Sequence, residues 1–244
     1  MKRTFALSDL HGCYDLWLKI KDYIYPEDTL IFLGDAIDRG PDGIKIVEEL
    51  RNRPNTIYLR GNHEDIAAAA LKDMITGTWT VYNNWYSPID LWSLNGGSPT
   101  EATLTNYTTE DRKELSNYFT KLPIQYTYIN KNKQIIICDH CGYTPGKTYQ
   151  PLWDRSHFID EWPLGYDHTY IIHGHTPAEC LGTHFIANGI SSTATPKGEI
   201  KIIHYCNNHK LDIDMGSVWN HVAVLLNLDT FEEVYFYGTQ FKKI

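Results

Sequence analysis

The sequence lacks the features of membrane and secreted proteins. No run of about 18 apolar residues occurs, and the apolar stretch at residues 5–7 is too short for the core of a secretion signal. The five cysteines are odd in number and do not have the spacing of a disulfide framework. We therefore expect a cytoplasmic protein that has no membrane partner.

Basic residues are also scarce. The chain of 244 residues has 22 lysines and arginines against 30 aspartates and glutamates, which gives a net charge of -8. This balance argues against binding along a nucleic-acid backbone, although a local basic pocket could still hold one phosphate group. No linker, internal repeat or low-complexity segment divides the chain, so we expect one domain over residues 1–244.

The N-terminal part of the chain alternates strands and helices. Apolar segments at residues 4–7, 30–33 and 56–59 predict strands, and each is followed by residues at helical spacing. The predicted helices cover residues 14–24, 41–50 and 66–77. This order predicts a mostly parallel sheet covered by helices.

The pattern changes at residues 78–122, which we interpret as an aromatic and helical insertion over one end of the sheet. Its aromatic side chains, from Trp79 to Trp92, could recognise a substrate or pack a core. Predicted strands then resume at residues 134–138, 169–172, 183–186, 200–205, 222–228 and 233–237. The turns between the last of them favour a largely antiparallel second half.

Metal-type residues follow five of the predicted strands. They are Asp9 and His11, then Asp35, then Asn62 and His63, then His140, and finally His173 and His175. Because the carboxyl ends of parallel strands meet at one edge of a sheet, these side chains should converge. A lone aspartate–histidine pair is more often a turn or a cap, but five such sites in order favour a metal centre.

The residue types suggest separate roles within this centre. Asp9 and His11 would form one half of a metal site, and Asp35 would bridge two cations with its two carboxylate oxygens. Asn62, His140 and His175 would complete the second position, and the mixed oxygen and nitrogen ligands suit manganese, iron or zinc rather than calcium. In the pair His173 and His175, we favour His175 as the ligand.

Other residues point to phosphate-ester hydrolysis. Two cations would hold a phosphoryl group and generate hydroxide, and His63 would protonate the leaving alkoxide, oriented by Asp38. Arg39 and Arg155 would bind phosphate oxygens with their planar guanidinium groups, and Asn62 would also contact the phosphate.

Simpler interpretations remain open for several of these residues. Asp38 could instead cap the helix after Pro41, and Arg155 could form a surface salt bridge. Cys138 and Cys141 form a C-x-x-C pair that could bind zinc, although buried, inert cysteines are the expected case.

The motifs in this order resemble a known family. Asp9-Leu10-His11, GDAIDRG at residues 34–40, LRGNHE at residues 59–64, Asp139-His140 and GHTP at residues 174–177 resemble the phosphoprotein phosphatase (PPP) branch of the calcineurin-like metallophosphoesterases. Within that branch the chain is most similar to the compact bacterial and phage serine/threonine phosphatases. Two positions depart from the family pattern, where Cys141 replaces a glycine and Asp214-Met215-Gly216 replaces Thr-Gly.

The resemblance implies an α/β fold, with a two-sheet β-sandwich flanked by helices. It also implies two divalent metals, often manganese in bacterial members, and direct attack of metal-bound water on a phosphoprotein or another phosphate ester. No regulatory-subunit motif is evident. A bis(5'-nucleosyl)-tetraphosphatase-like nucleotide hydrolase and an inactive binding scaffold are the alternatives. An intact Asp38 argues against both, and His63 against the scaffold.

Overall fold

The computed structural model describes residues 2–78, 80–81, 86–148, 152–184 and 200–239. Within these residues the chain forms two five-stranded sheets. The strands of the first sheet are Thr4–Leu7 (β1), Thr29–Phe32 (β2), Thr56–Tyr58 (β3), Val222–Asn227 (β9) and Glu233–Tyr237 (β10). Their order is β10-β9-β1-β2-β3, with β1, β2 and β3 parallel and β9 and β10 antiparallel at the other side.

The second sheet combines parallel and antiparallel pairs. Its strands are Gln125–Ile129 (β4), Ile135–Asp139 (β5), Thr169–His173 (β6), Ile203–Tyr205 (β7) and Lys210–Asp212 (β8). They lie in the order β4-β5-β6-β8-β7. The central strands β5, β6 and β8 are parallel, whereas β4 and β7 pair antiparallel to their neighbours.

Helices surround the sheets and connect their strands. The α-helices are Tyr14–Tyr23 (α1), Gly43–Asn52 (α2), Asn62–Thr76 (α3), Pro88–Leu94 (α4), Ser98–Leu104 (α5), Thr109–Lys121 (α6), Ala178–His184 (α7) and Ser217–Asn220 (α8). A short 3-10 helix covers Ser156–Ile159. None of the helices in the described ranges is both long and apolar enough to cross a membrane.

The alternating side chains of β1 show how the layers form. Phe5 and Leu7 belong to a core cluster shared with α1, α2, α3 and the helices of the insertion, whereas Ala6 belongs to a second cluster shared with Ile136 and Ile172 of the other sheet. Because successive strand residues face opposite sides, the first sheet is covered by helices on one face and by the second sheet on the other. The predicted two-sheet sandwich flanked by helices is confirmed.

One expectation about the second half of the chain is wrong. Residues 183 and 184 belong to helix α7 rather than to a strand, because Pro177 precedes a first helical turn; residues 185 and 186 lie outside the described ranges. The expectation of a largely antiparallel second half is confirmed, since β4 with β5, β7 with β8 and β9 with β10 pair antiparallel, while β6 pairs parallel with β5 and β8. The sequence pattern missed β8 because it is short, and missed β4 because most of its side chains are exposed.

Candidate metal centre

Most of the predicted site residues lie on loops of the two sheets, and Asn62 and His63 begin helix α3. The backbone of Asp9 donates to the carbonyl of Gly34 at 3.1 Å, and that of His11 donates to the carbonyl of Asp35 at 3.0 Å. Positive φ angles occur at Asp9, His11, Asp35, Asp38, Arg39 and His175. Such angles are unfavourable for residues other than glycine and cluster at functional sites. Asp9 and His11 therefore meet the site through a tight turn and not through an extension of β1.

Two groups of buried side chains converge at this edge and share Asp35. His11, Asp35 and His63 form one group, and Asp35, His140 and His175 form the other, with candidate ligand atoms within 4.8 Å of one another in each group. We call these five residues the ligand cluster. Asp35 Oδ2 lies 3.4 Å from His140 Nε2 and 3.7 Å from His11 Nε2, as expected for a carboxylate between two cation positions.

Asp9 and Asn62 border the ligand cluster. Asp9 Oδ1 lies 3.9 Å from His11 Nε2. Asn62 Oδ1 lies 2.8 Å from His140 Nε2 and 2.9 Å from His175 Nδ1. The structure thus brings together all six predicted metal residues, and it places His63 beside them.

Backbone carbonyls orient two of the imidazole rings. His11 Nδ1 lies 2.9 Å from the carbonyl oxygen of Ile37, and His140 Nδ1 lies 2.9 Å from that of Leu33. A proton on each Nδ1 would make these hydrogen bonds and leave a lone pair on each Nε2 that could bind a cation. Leu33 follows β2, so its bond to His140 also connects the two sheets at the site.

The centre fits divalent cations in its donor atoms and its charge. Within the described residues, Asp9 Oδ1 and His175 Nε2 are buried without a hydrogen-bond partner. Burial lowers the pKa of His11 and His175 well below the usual value, and neutral imidazole is the form that binds metals. Burial also raises the pKa of Asp9 to about 6, an effect that a bound cation would reverse.

Asp35 gives the cluster a fixed negative charge. Burial opposes this charge, but His140 and His63 outweigh burial and hold the pKa of Asp35 well below its usual range. In turn, burial opposes protonation of His140, but the charge of Asp35 raises the His140 pKa to about 10. A site that attracts a proton this strongly also attracts a metal cation.

His63 is paired with Asp38 in a fully buried contact. His63 Nδ1 lies 2.7 Å from Asp38 Oδ2, and the indole nitrogen of Trp92 donates to both Asp38 oxygens at 2.9 and 3.0 Å. Burial opposes protonation of His63, but Asp35 and then Asp38 raise its pKa above the usual value. Asp38 is not a helix cap, because Asp42 occupies the N-cap position of α2.

The two arginines lie beside the histidines. The guanidinium of Arg39 contacts His11 Nε2 and lies 2.9 Å from His63 Nε2. Arg155 Nε donates to Thr176 Oγ1 at 3.1 Å, next to His175. Both guanidinium groups are therefore placed where they could reach a phosphate held at the ligand cluster.

The sequence assigns no role to Glu64 and does not predict the contact of Trp92 with Asp38. The Glu64 carboxylate is fully buried and accepts hydrogen bonds from the backbone of Asp35, Ala36 and Gly61 at 2.8–2.9 Å, which fixes the Asp35 loop. A glutamate at the third position of helix α3 was the available signal, because this position commonly caps a helix start. No comparable sequence signal links Trp92 to Asp38.

His173 lies outside the ligand cluster. Its Nε2 is 2.6 Å from the hydroxyl of Tyr205, which also lies 3.0 Å from His157 Nδ1. The buried amine of Lys210 donates to the carbonyl of His157 at 2.9 Å. We call His157, His173, Tyr205 and Lys210 the lysine cluster.

The cysteine pair belongs to neither candidate metal group of the described residues. Cys138 and Cys141 are both buried and form no disulfide. Burial raises the pKa of Cys141 to about 12 and raises that of Cys138 further, so neither is a thiolate at neutral pH.

Comparisons with known proteins agree with this geometry. A protein-family model described as calcineurin-like phosphoesterase matches residues 2–179. Serine/threonine-protein phosphatase 1 of Salmonella typhimurium is 28% identical over 209 residues, which cover 77% of this chain and 87% of that protein. An asymmetrical bis(5'-nucleosyl)-tetraphosphatase of Bacillus velezensis is 26% identical over 207 residues, covering 71% and 77%.

Solved structures share the fold at lower sequence identity. A putative diadenosine tetraphosphatase superposes with a TM-score of 0.58 at 15% identity, covering 98% of this chain and 94% of that one. A cold-active protein tyrosine phosphatase superposes with a TM-score of 0.59 at 14% identity, covering 96% and 76%. At such identities the likeness extends to the fold alone.

Proposed function

Because this chain belongs to the calcineurin-like phosphoesterase family, we propose that it is a two-metal phosphomonoesterase of the serine/threonine protein phosphatase type. The chain is a metallophosphoesterase by family, and the proposal concerns its substrate class, its metal and the roles of its residues. The observation that carries it is the buried His63–Asp38 pair beside the ligand cluster. A binding scaffold has no use for a proton donor held in this way.

The roles follow from the positions of the side chains. Asp9, His11, Asp35, Asn62, His140 and His175 would hold two divalent cations. When bound, such cations neutralise charge on the phosphoryl group and supply a hydroxide nucleophile from water at neutral pH. The oxygen and nitrogen donors suit manganese, iron or zinc, and we propose manganese because the resemblance to bacterial phosphatases implies it.

His63 would act as the general acid. The hydrogen bond from its Nδ1 to Asp38 leaves Nε2 facing Arg39 and Asp35, where it could give a proton to the leaving alkoxide. Arg39 and Arg155, together with Asn62, would bind the phosphate oxygens and keep the ester in line for attack. The proposed substrate is a phosphoprotein in the cytoplasm, with no nucleic-acid or membrane partner.

A nucleotide hydrolase is the second candidate. The similarity to a bis(5'-nucleosyl)-tetraphosphatase over 71% of the chain favours it, because the metal chemistry would be the same. The two candidates differ in the group attached to the phosphate that is attacked, which is a protein side chain in one case and a nucleotide in the other.

A substrate panel separates these possibilities. The manganese-loaded protein is assayed with a phosphoserine peptide, a phosphothreonine peptide and diadenosine tetraphosphate, and the chelator-treated protein serves as the control. We expect metal-dependent release of phosphate from the peptides at the highest kcat/KM. Higher kcat/KM for the dinucleotide would favour the second candidate. Stoichiometric metal without any hydrolysis would contradict both and leave the scaffold.

A further inference from the structure

Two exposed tryptophans flank the metal centre. Trp219 on α8 is 58% exposed and Trp153 is 37% exposed, although large aromatic side chains usually bury most of their surface. The other tryptophan at the site, Trp92, is buried against Asp38 and has no free surface. A substrate could therefore contact Trp153 and Trp219 but not Trp92.

One exposed indole contacts a proposed phosphate-binding residue, and the other contacts a proposed metal ligand. The guanidinium carbon of Arg39 lies 5.0 Å from the centre of the Trp219 ring, within the range of a cation–π contact. Trp153 packs edge-on against His175, with ring centres 6.0 Å apart and an angle of 88° between the planes. Trp153 thus contacts the ligand cluster directly, and Trp219 is connected to it through Arg39.

The loop from His175 to Pro177 lies between the two indoles. Trp153 contacts His175 at its start, and Thr176 accepts a hydrogen bond from Arg155. A methyl group built on Gly216 would lie 3.5 Å from both Pro177 Cβ and Trp219 Cε3, so Trp219 lies near the other end of the loop. Exposed aromatic surface therefore lies near both ends of the His175–Pro177 loop.

Local hydrogen bonds hold Trp219 in place. Helix α8 starts and ends at residues with left-handed backbone angles, Gly216 and His221. The backbone of Gly216 donates to Asp214 Oδ1 at 2.8 Å, and Asn220 Nδ2 donates to the carbonyl of Met215 at 2.9 Å. These bonds hold the backbone that carries Trp219, and the Arg39 contact orients its indole, which lowers the entropy lost when a second ring stacks on it.

We propose that Trp219, assisted by Trp153, forms a subsite for a flat aromatic ring in the leaving group of the phosphate ester. The inference rests on the proposed phosphomonoesterase chemistry and extends it from phosphoserine and phosphothreonine to esters whose leaving group carries an aromatic ring. A phosphoserine side chain carries no ring and cannot use either indole. A tyrosyl group and a nucleoside both can, since each places a π-system a few bonds from the phosphate.

A ratio of specificity constants tests this subsite. The kcat/KM values for phenyl phosphate and propyl phosphate are measured with the wild type and with Trp219→Ala. For each ester, kcat/KM of the variant is divided by that of the wild type, so that the different intrinsic reactivities of the two esters cancel. We expect kcat/KM for phenyl phosphate to fall roughly tenfold more than that for propyl phosphate, the scale of one aromatic stack. Trp219→Phe should retain most of the preference. Equal losses for both esters would overturn the subsite and leave Trp219 as a support for Arg39.

Tyr25→Ala is a matched control. Tyr25 is also 58% exposed, and the guanidinium carbon of Arg3 also lies 5.0 Å from its ring centre, but it follows α1, outside the metal centre. Its removal should leave the phenyl-to-propyl ratio unchanged. A change as large as that of Trp219→Ala would overturn the assignment.

Binding of phosphonates separates the subsite from the reaction. Calorimetry with the manganese-loaded protein compares phenylphosphonate and methylphosphonate, neither of which has an ester bond to cleave. Tighter binding of phenylphosphonate that is lost in Trp219→Ala supports the subsite even if the protein hydrolyses no ester, in which case the proposed function alone fails. Equal affinities in the wild type would overturn the subsite.

Two further substrates identify the source of the ring. A larger loss in Trp219→Ala with a phosphotyrosine peptide than with adenosine monophosphate assigns the subsite to tyrosyl groups, and the reverse assigns it to nucleosides. No selective loss with either substrate would overturn the proposal.

Discussion

The ligand cluster and the lysine cluster are both buried and rich in histidine, yet only the first offers a metal site. His175 belongs to the ligand cluster and His173, two residues earlier on the same segment, belongs to the lysine cluster. The ligand cluster contains the carboxylate of Asp35 and borders Asp9. Among the described residues, His175 Nε2 in the cluster and Asp9 Oδ1 beside it are buried without a hydrogen-bond partner. The buried negative charge of Asp35 would be stabilised by a metal cation bound from solution.

The lysine cluster contains its own cation. Lys210 is fully buried, and its amine donates to Thr144 Oγ1 at 2.7 Å and to the carbonyl of His157 at 2.9 Å. The imidazoles of His157 and His173 share the hydroxyl of Tyr205. The comparison shows that neighbouring charges and hydrogen-bond partners, rather than the number of histidines, decide whether a buried cluster can take up a metal.

Replacing the shared carboxylate should have the largest effect. In Asp35→Asn the ligand cluster loses its fixed negative charge, so we expect loss of bound manganese and a fall in kcat/KM of at least about 10⁴-fold, because the cations supply the nucleophile. Elemental analysis after metal loading and hydrolysis of p-nitrophenyl phosphate measure the two effects. Lys210→Met, in the other cluster, is the control and should retain its metal. An Asp35→Asn protein with unchanged metal content would contradict the assignment of Asp35.

Replacing the proton donor should separate catalysis from metal binding. In His63→Asn both metals should remain while kcat falls by roughly 10²–10⁴-fold, the usual scale for loss of a general acid. Elemental analysis and the rate of p-nitrophenyl phosphate hydrolysis give the two readouts. Loss of metal together with activity would make His63 a ligand, which its place in the group with His11 and Asp35 also allows.

The lysine cluster should affect stability and its dependence on pH. Burial lowers the pKa of Lys210 to about 8, against an unfolded value near 10.4. The folded state therefore holds the lysine proton less tightly, and the resulting destabilisation is complete below pH 8 and disappears as the pH rises to the unfolded pKa. Ionisable groups that face the amine are Cys206, Asp160, Lys147 and Asp139.

Lys210→Met removes this titration. The unfolding free energy of the variant minus that of the wild type should fall by about 2 kcal/mol between pH 8 and pH 10. Urea unfolding in the presence of chelator measures this difference without interference from the metal centre. Lost hydrogen bonds to Thr144 and His157 add a constant offset, so the slope is the test. A difference that does not change with pH would show that Lys210 keeps an ordinary pKa in the fold.

The sequence predicts the ligand cluster better than its surroundings. The metal-type residues could be predicted because each follows a strand, and parallel strands bring such positions to one edge of a sheet. They are Asp9, His11, Asp35, Asn62, His63, His140 and His175. Glu64 belongs to the LRGNHE motif, but the motif does not predict its role. Its hydrogen bonds to the Asp35 loop depend on how two separate segments meet in the fold. Strand β8 consists of three residues, which is too short for a periodic pattern.

The insertion shows the limit most clearly. Its aromatic residues were expected to recognise substrate or to pack a core, and Trp92 is buried in the core while its indole nitrogen holds Asp38, 54 positions away in the chain. Trp79, Tyr82 and Trp85 lie outside the described residues. Local patterns identify Trp92 as an apolar residue, but only the tertiary fold gives its polar atom a partner.

Trp92 therefore supports the ligand cluster from outside it, and its replacement should have the smallest effect. Trp92→Phe keeps an aromatic ring but removes the hydrogen bonds to Asp38, so Asp38 should hold His63 less firmly. We expect kcat to fall about fivefold, equivalent to one hydrogen bond of about 1 kcal/mol, with KM and metal content unchanged.

A double-mutant cycle with Asp38→Asn distinguishes positioning from general support of the fold. If Trp92 acts only through Asp38, Trp92→Phe should cause little further loss of kcat in a protein that already carries Asp38→Asn, because the contact it removes no longer orients His63. Unfolding measurements on all four proteins separate any loss of stability from this kinetic coupling. Additive losses of kcat would show that Trp92 merely packs beneath the site, and the influence of the insertion on the metal centre would then be steric and not chemical.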